Sequence, residues 1–334
     1  MATKRGTSDY SLLVGINKPK GMSSHDAVNR VRTIFGERRV GHMGTLDPLA
    51  TGVLPVCIGP ATRLDAFMVG HDKTYIAEVK FGAETNTADS EGEVVATGEP
   101  ISMFYDQTFA DSYVASLVGE HDQQPPAFSA IKVNGQVAYK MARAGAEVDL
   151  PTRRIEIYAA DLLDVDESEE DGALCWRIRL SVSKGTYIRS IAQDIGRDLG
   201  CPTHLSGLER VQVGSIALDD CVSIETLENL KDRAALDPIR ALGFRYAFID
   251  DAVKVANGAF FRSSDISLYQ PLKRDFRATA CGCTSQAVLS DVEPVDGENV
   301  CFIVDNKLAA IYSFDARARM FKPSCVFNKG VIRG

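Results

Sequence analysis

Hydrophobic and polar positions change period several times along this chain, and each change marks an element. From Ser23 to Phe35 the apolar residues Ala27, Val28, Val31, Ile34 and Phe35 recur on one helical face. Ser23 and Asp26 have capping-box spacing and Gly36 supplies a stop, so a helix is predicted over 23–35, with Arg30 and Arg32 projecting from its far side. Val53 to Ile58 is an unbroken apolar run between Gly52 and Gly59, the pattern of a short buried strand. Thr74 to Phe81 alternates, with Tyr75, Ala77, Val79 and Phe81 on one side; Trp176 to Val182 alternates with Trp176, Ile178 and Leu180 opposite Arg177 and Arg179. Two half-buried strands of this kind predict a sheet with one working face. Ile188, Ile191, Ala192, Ile195 and Leu199 then return to helical spacing, with Gly200 as the stop. Tyr187 and Arg189 flank the inward-facing Ile188, so both can point into a cleft beside the strand end.

Two stretches differ in texture. Gln123 to Ile157 opens with Gln-Gln-Pro-Pro, carries a strong hairpin signal at Asn134-Gly135 between Ala130–Val133 and Val137–Tyr139, and continues as a basic helix-like stretch. From about residue 244 the pattern is β-rich. Asn257-Gly258 marks a turn, Cys301–Val304 and Leu308–Phe314 form a hairpin about Asp305-Asn306-Lys307, and Cys325–Phe327 gives a last short strand after Pro323. The whole reads as a mixed α/β (α+β) chain whose 334 residues suffice for one large domain plus a small one, or two of moderate size.

No apolar run approaches the roughly 20 residues of a membrane span, and MATKRGTSDYSLLVG holds no signal-peptide core, so a cytoplasmic protein is expected. Eight cysteines scattered through such a chain predict reduced thiols. Cys281, Cys283, Cys301 and Cys325 lack the paired C-x-x-C spacing of a zinc site, and no metal is expected. The formal net charge of −8 argues against a nucleic-acid partner until its distribution is considered. Residues 81–130 and 161–175 hold 16 of the acids and no Lys or Arg, so the remainder nets +8. Elsewhere Lys18, Lys20, Arg30, Arg32, Arg38, Arg39, Arg63, Lys73, Lys132, Lys140, Arg143, Arg153, Arg154, Lys184 and Arg189 can line one phosphate-binding face while the acidic stretches point away. Solvated surface charge is the alternative reading of the same residues.

The strongest chemical candidate is Asp47, in GHMGTLDPLATGVLPVCIGPATR at 41–63. Gly41, Gly44 and Gly52 permit positive φ and close approach, and Pro48 biases Asp47 towards an extended, presented conformation. Asp-Pro is also a common turn starter, and local physics does not choose between the two. The glycines are not a phosphate-binding P-loop, because no Gly-Lys-Ser/Thr follows them.

This segment resembles the signature of the bacterial tRNA pseudouridine synthase B (TruB) family, a G-H-x-G-x-L-D-P-x-A-x-G-x-L-P run. The likeness continues in Asn17–Ser24, Asp72-Lys73-Thr74-Tyr75, Gln124–Lys132 and Ser183–Arg189, and covers about residues 12–215. Met43 departs from it, standing where the family often has threonine. The resemblance implies a mixed, largely antiparallel sheet with flanking helices over 11–243, following a flexible tail at 1–10. It also implies a thumb-like RNA-gripping insertion at 123–157 and a divergent, small β-rich PUA-like barrel at 244–334, where Arg274, Arg277, Arg317, Arg319 and Lys322 are candidates for RNA contact.

The implied reaction is isomerisation of uridine-55 in the TΨC loop of tRNA to pseudouridine, without cofactor or metal, by a monomer needing no obligate protein partner. The base must leave its stack, at about a few kcal/mol. Asp47 matches the catalytic aspartate, which either attacks the nucleoside or assists loss of a ribose proton. Arg189 matches the active-site arginine that keeps this carboxylate anionic in a dry pocket, and Tyr187 a residue that handles protons at the reacting centre. Tyr75 matches the base-stacking tyrosine, worth roughly 1–3 kcal/mol. His42 matches a residue filling the space the flipped base vacates, and Leu208 a pocket wall whose backbone meets the uracil edge. Lys18 is a further substrate-binding candidate.

Overall fold

The computed structural model describes residues 8–126, 128, 132–133, 136–143, 150–168, 171–272 and 287–334. The Asn134-Gly135 turn, Cys281, Cys283, Arg274 and Arg277 lie outside the described residues, as do the side chains of Lys132, Lys140 and Arg143. The chain forms two compact units. One comprises residues 47–52 and 71–213; the other comprises 1–46, 53–70 and 214–334.

The first unit is a mixed sheet with flanking helices. Thr51-Gly52 run parallel to Thr203–Val213, and the next neighbours, Lys73–Phe81, Leu174–Val182, Arg153–Glu167 and Gly119–Gln123, are all antiparallel. Alternation in the two central strands resolves as expected. Tyr75, Ala77, Val79 and Phe81 are buried, and the first three stand opposite Leu180, Ile178 and Trp176 in register, while Arg177 and Arg179 are exposed. Trp176 anchors this face: its indole N–H donates to the Phe104 carbonyl at 2.9 Å and its ring meets Phe81 and Tyr113. The helix Ile188–Leu199 packs on Thr203–Val213 and ends at Gly200, in the left-handed conformation at φ 67°. The pairs Lys132↔Val137 and Val133↔Gln136 flank the expected turn at 134–135, and a short helix, Ala138–Arg143, follows.

In the second unit the helix Ser24–Phe35 has the predicted caps. Ser23 and Asp26 form a complete capping box, and Gly36 closes the end at φ 61°. Arg32 is part-buried, and its guanidinium donates to the Val40 carbonyl at 3.2 Å and to Asn29 Oδ1 at 2.9 Å. Leu12–Lys18 and Val53–Ile58 are buried strand segments, and Val40–His42 pairs antiparallel with Val56–Ile58. Of the expected tail, Ser8–Tyr10 is held in place: Lys329 donates to the Ser8 and Asp9 carbonyls, and Tyr10 packs edge-on against Phe35.

The C-terminal part of this unit is a small curled sheet of five strands, Arg245–Phe248, Asn299–Val304, Lys307–Asp315, Met320–Ile332 and Phe261–Arg262, in that spatial order. The hairpin turns tightly through Asp305 and Asn306, both at positive φ, as a two-residue turn matched to strand twist requires. Phe302 stacks on Tyr312 at 4.2 Å inside its core. The last strand is much longer than Cys325–Phe327, because Met320-Phe321 pair with Phe314-Asp315 and Pro323 falls at a register shift, where a missing N–H is tolerated.

Candidate active site

The Asp47 loop is fixed first by its neighbours in the chain. Ser24, at the start of the capped helix, donates through Oγ to the Leu46 carbonyl at 2.9 Å and accepts the Leu46 N–H at 2.8 Å. Both polar groups of the residue before Asp47 are thereby satisfied. Gly44 adopts φ 96° as expected, whereas Gly41 departs from expectation and lies in the Val40–His42 strand without positive φ. After Asp47 the chain closes a turn through the Ala50 N–H, which donates to the Asp47 carbonyl at 3.1 Å. Both readings of Asp-Pro therefore hold, since Asp47 begins a turn and its side chain is presented.

That side chain meets Arg189. Nε of Arg189 lies 3.0 Å from Asp47 Oδ2, with the arginine side chain 7% exposed and the aspartate 39%. The remaining guanidinium donors are also engaged. Nη1 lies 3.5 Å from Asp89 Oδ2 and donates to the Thr87 carbonyl at 3.1 Å, while Nη2 donates to the Phe128 carbonyl at 3.0 Å. One buried cation is thus held between two carboxylates, a geometry that uses the planar fork of arginine and that a lysine does not reproduce. The cluster carries one net negative charge, and Asp47 is its accessible end.

Asp89, from the acidic stretch 81–130, is turned inward onto Arg189 and is not part of a solvated acidic surface. It is 3% exposed, and its Oδ1 accepts from Thr87 Oγ1 at 2.6 Å and from the Glu91 N–H at 3.1 Å. The Thr85–Gly92 run of turn-forming residues is the only local signal for it.

Tyr187 is the N-cap residue of the helix carrying Arg189 and is half-buried. Tyr75 is 8% exposed and sits in register between Leu180 and Arg210 on its two neighbouring strands. Arg210, to which the sequence reading gave no role, is buried there. Leu208 is half-buried, and its carbonyl accepts from Thr51 Oγ1 at 3.5 Å, four residues beyond Asp47. Asp47, Arg189, Tyr187, Tyr75 and Leu208 all belong to the first unit; Lys18 and His42 belong to the second. His42 is half-buried and paired with Val56. Lys18 is fully buried, and its ammonium donates to the carbonyls of Pro19 at 2.9 Å and Met22 at 2.6 Å, closing the turn between them.

At the strand start below Tyr75, burial, with Arg210 and Lys184 nearby, pulls the Lys73 ammonium down to about 8. Among the described residues no group of three or more His, Cys, Asp or Glu is placed to hold a metal, and six cysteines are free thiols.

Comparison with known proteins converges on one family. The family model described as TruB family pseudouridylate synthase (N terminal domain) matches residues 32–188, and that of the tRNA pseudouridylate synthase B C-terminal domain matches 189–241. The tRNA pseudouridine synthase B of Geobacillus thermodenitrificans is 44% identical over 255 residues, 74% of this chain and 84% of that protein. Its counterpart in Bacillus thuringiensis is 42% identical over 259 residues, 75% of this chain and 84% of that protein. A solved structure described as an H/ACA RNP bound to a substrate RNA containing 2'-deoxyuridine superposes with a TM-score of 0.64. It is 19% identical and covers 96% of this chain and 86% of that one, a likeness of fold.

Proposed function

We propose, for a chain that belongs to the TruB family of tRNA pseudouridine synthases, that the reaction is the isomerisation of uridine-55 in the TΨC loop and that Asp47 is its centre. The observation that carries this reading is the 3.0 Å pair between Asp47 and a buried Arg189. It supplies a carboxylate aimed by a buried guanidinium, in a loop whose two ends are hydrogen-bonded.

In this reading the target base leaves its stack and lies against Tyr75, which stands in register between Leu180 and Arg210. The N1–C1′ bond breaks, the uracil turns, and a C5–C1′ bond forms; the proton lost from C5 is balanced by one gained at N1. Asp47 either attacks the nucleoside or takes a ribose proton, Arg189 holds its charge and direction, and Tyr187 manages the proton at C5. The Leu208 backbone meets the uracil edge. His42 fills the vacated stack, and Lys18 serves the RNA face through the Pro19–Met22 turn that it closes. Residues 11–243 form the catalytic domain, 123–157 its RNA-gripping insertion and 244–334 a PUA-like module; the hydrophobic core of the C-terminal sheet supports the last of these, whereas the two compact units divide the chain at other points. The enzyme works as a cytoplasmic monomer on tRNA.

Asp47→Asn tests this directly, because the amide still accepts a hydrogen bond from Arg189 but has lost its charge and nucleophilicity. Purified protein incubated with an unmodified tRNA transcript is expected to form pseudouridine at position 55. The variant should bind the transcript with turnover reduced at least about a thousandfold. Equal activity of the two proteins would refute the role of Asp47, and modification at another position would refute the choice of uridine.

A further inference from the structure

Gln123 ends the edge strand Gly119–Gln123 and is only 2% exposed although its side chain is polar. Its carboxamide makes two hydrogen bonds to a single residue. Oε1 accepts the Tyr187 N–H at 2.8 Å and Nε2 donates to the Tyr187 carbonyl at 3.0 Å. A side chain thus reproduces the reciprocal exchange that a hydrogen-bonded residue pair makes in an antiparallel ladder. Tyr187 needs such a partner, since it caps the catalytic helix without a side-chain hydrogen bond of its own. Two further bonds join the same stretches of chain: Ser190 Oγ donates to the Gln124 carbonyl at 2.8 Å, and Arg189 Nη2 to that of Phe128 at 3.0 Å.

We propose that Gln123 is a positioning residue for the isomerisation: it holds the backbone from which Tyr187 and Arg189 project, and so sets both in place against Asp47. The inference rests on the reading of Asp47, Tyr187 and Arg189 as the reacting centre. It also assigns a second task to the segment at the root of the 123–157 insertion, which touches the helix through Gln123, Gln124 and Phe128 in successive bonds. Only a group that both donates and accepts at this spacing can serve. Leucine removes both bonds at similar volume, and an ionised glutamate would set two acceptors against the Tyr187 carbonyl. A protonated glutamate offers one donor and one acceptor, as the amide does.

That contrast gives a test in which a merely structural role predicts a different result. Single-turnover rates on an unmodified tRNA transcript and the Kd for the same RNA are measured for wild type, Gln123→Leu and Gln123→Glu between pH 5 and pH 8.5. Gln123→Leu should lose about 10- to 100-fold in rate with Kd within about threefold. For Gln123→Glu, burial and the facing Tyr187 carbonyl raise the carboxyl pKa. Arg153, opposite in the strand pairing, and Arg189 oppose this, but Arg153 is half-exposed and Arg189 is already committed to Asp47 and Asp89. His121 and Asp122 on its own strand, and Asp194 on the helix within electrostatic reach of His121, are further charged or titratable groups in this region among the described residues.

The wild-type to Gln123→Glu rate ratio should therefore shrink as pH falls, as the neutral acid restores the donor, while the ratio to Gln123→Leu stays flat. A Gln123→Leu rate within about twofold of wild type, a Gln123→Glu deficit that does not change with pH, or a loss confined to Kd overturns the proposal. If Gln123→Leu does not fold, the pH comparison within Gln123→Glu decides alone. Asp47→Asn is run alongside: equal activity there indicts the reacting centre, whereas an inactive Asp47→Asn beside a fully active Gln123→Leu indicts Gln123 only.

Discussion

Arg189 shows how much one side chain can organise. Four of its contacts reach residues scattered from Asp47 to Phe128, three of them at 3.0–3.1 Å and that to Asp89 at 3.5 Å, because the guanidinium is planar and presents its donors in fixed directions. The motif around Asp47 and Arg189 made both legible in the sequence. Asp89 was not legible, because it stands 100 residues from its partner inside a run of acids that reads as solvated surface. Gln123 and Arg210 were hidden for the same reason: their meaning lies in a partner that only folding supplies. Lys73 gives a prediction at this scale. Its folded pKa, about 8, lies below the ordinary lysine value, so the unfolded chain binds more protons between the two. The penalty for burying the charged form is present below pH 8 and fades as pH rises towards the unfolded value of about 10.4. Lys73→Met should therefore raise Tm at pH 7, with the gain over wild type shrinking between pH 8 and pH 10; a gain that does not vary with pH would exclude this cause.

At the scale of elements, the helices Ser24–Phe35 and Ile188–Leu199 were readable because their signals are local, whereas Gln107–Ser116 and Ile224–Leu230, whose apolar faces are weaker, were not read. Ser23, Asp26, Gly36 and Gly200 act within a turn of the residues they cap, and each sits where the sequence places it. Strands were readable where alternation survives or where an apolar run is bounded by glycines, as at Val53–Ile58. Thr203–Val213 shows no clean alternation because register shifts at Ser206 and Val211 turn side chains out of phase. Gly52, where that strand meets the one leaving the Asp47 loop, has a requirement the sequence only hinted at. It adopts φ 97°, and a Cβ there would lie 2.3 Å from the Arg210 carbonyl oxygen. Gly52→Ala combines backbone strain with a clash against main chain, and should cost at least about 2 kcal/mol in urea unfolding. An unchanged denaturation midpoint would show that the two strands separate without penalty. The acidic run at 161–171 also finds its partners here: Asp161 faces Arg179, Asp164 faces Arg177, and Asp171 lies 2.7 Å from Lys80, so cross-strand pairing absorbs part of its charge.

For the molecule as a whole, net charge is a poor guide to partner. The chain carries −8, yet many of its acids are answered within the fold; the buried Lys18 and Arg189 leave the set of phosphate-binding candidates, and the exposed basic residues beside the motifs stay in it. If four to six phosphates are neutralised, log K for tRNA against log salt should fall with a slope of roughly −3 to −5. A flat salt dependence in filter binding or calorimetry would remove the proposed phosphate-binding face. Among the described residues no helix is long and apolar enough to cross a membrane. The sequence by itself determined the period of the elements around the motifs, the caps of the helices Ser24–Phe35 and Ile188–Leu199, and the family, and it singled out Asp47, Tyr75, Tyr187 and Arg189 as a set of candidates, because each motif rests on residues near one another in the chain. Only the tertiary structure decided which groups complete that set. Asp89 on the guanidinium, Gln123 on the Tyr187 backbone and Arg210 beside Tyr75 are contacts between distant segments, and a hydrogen bond or ion pair becomes specific only when burial fixes both partners at once.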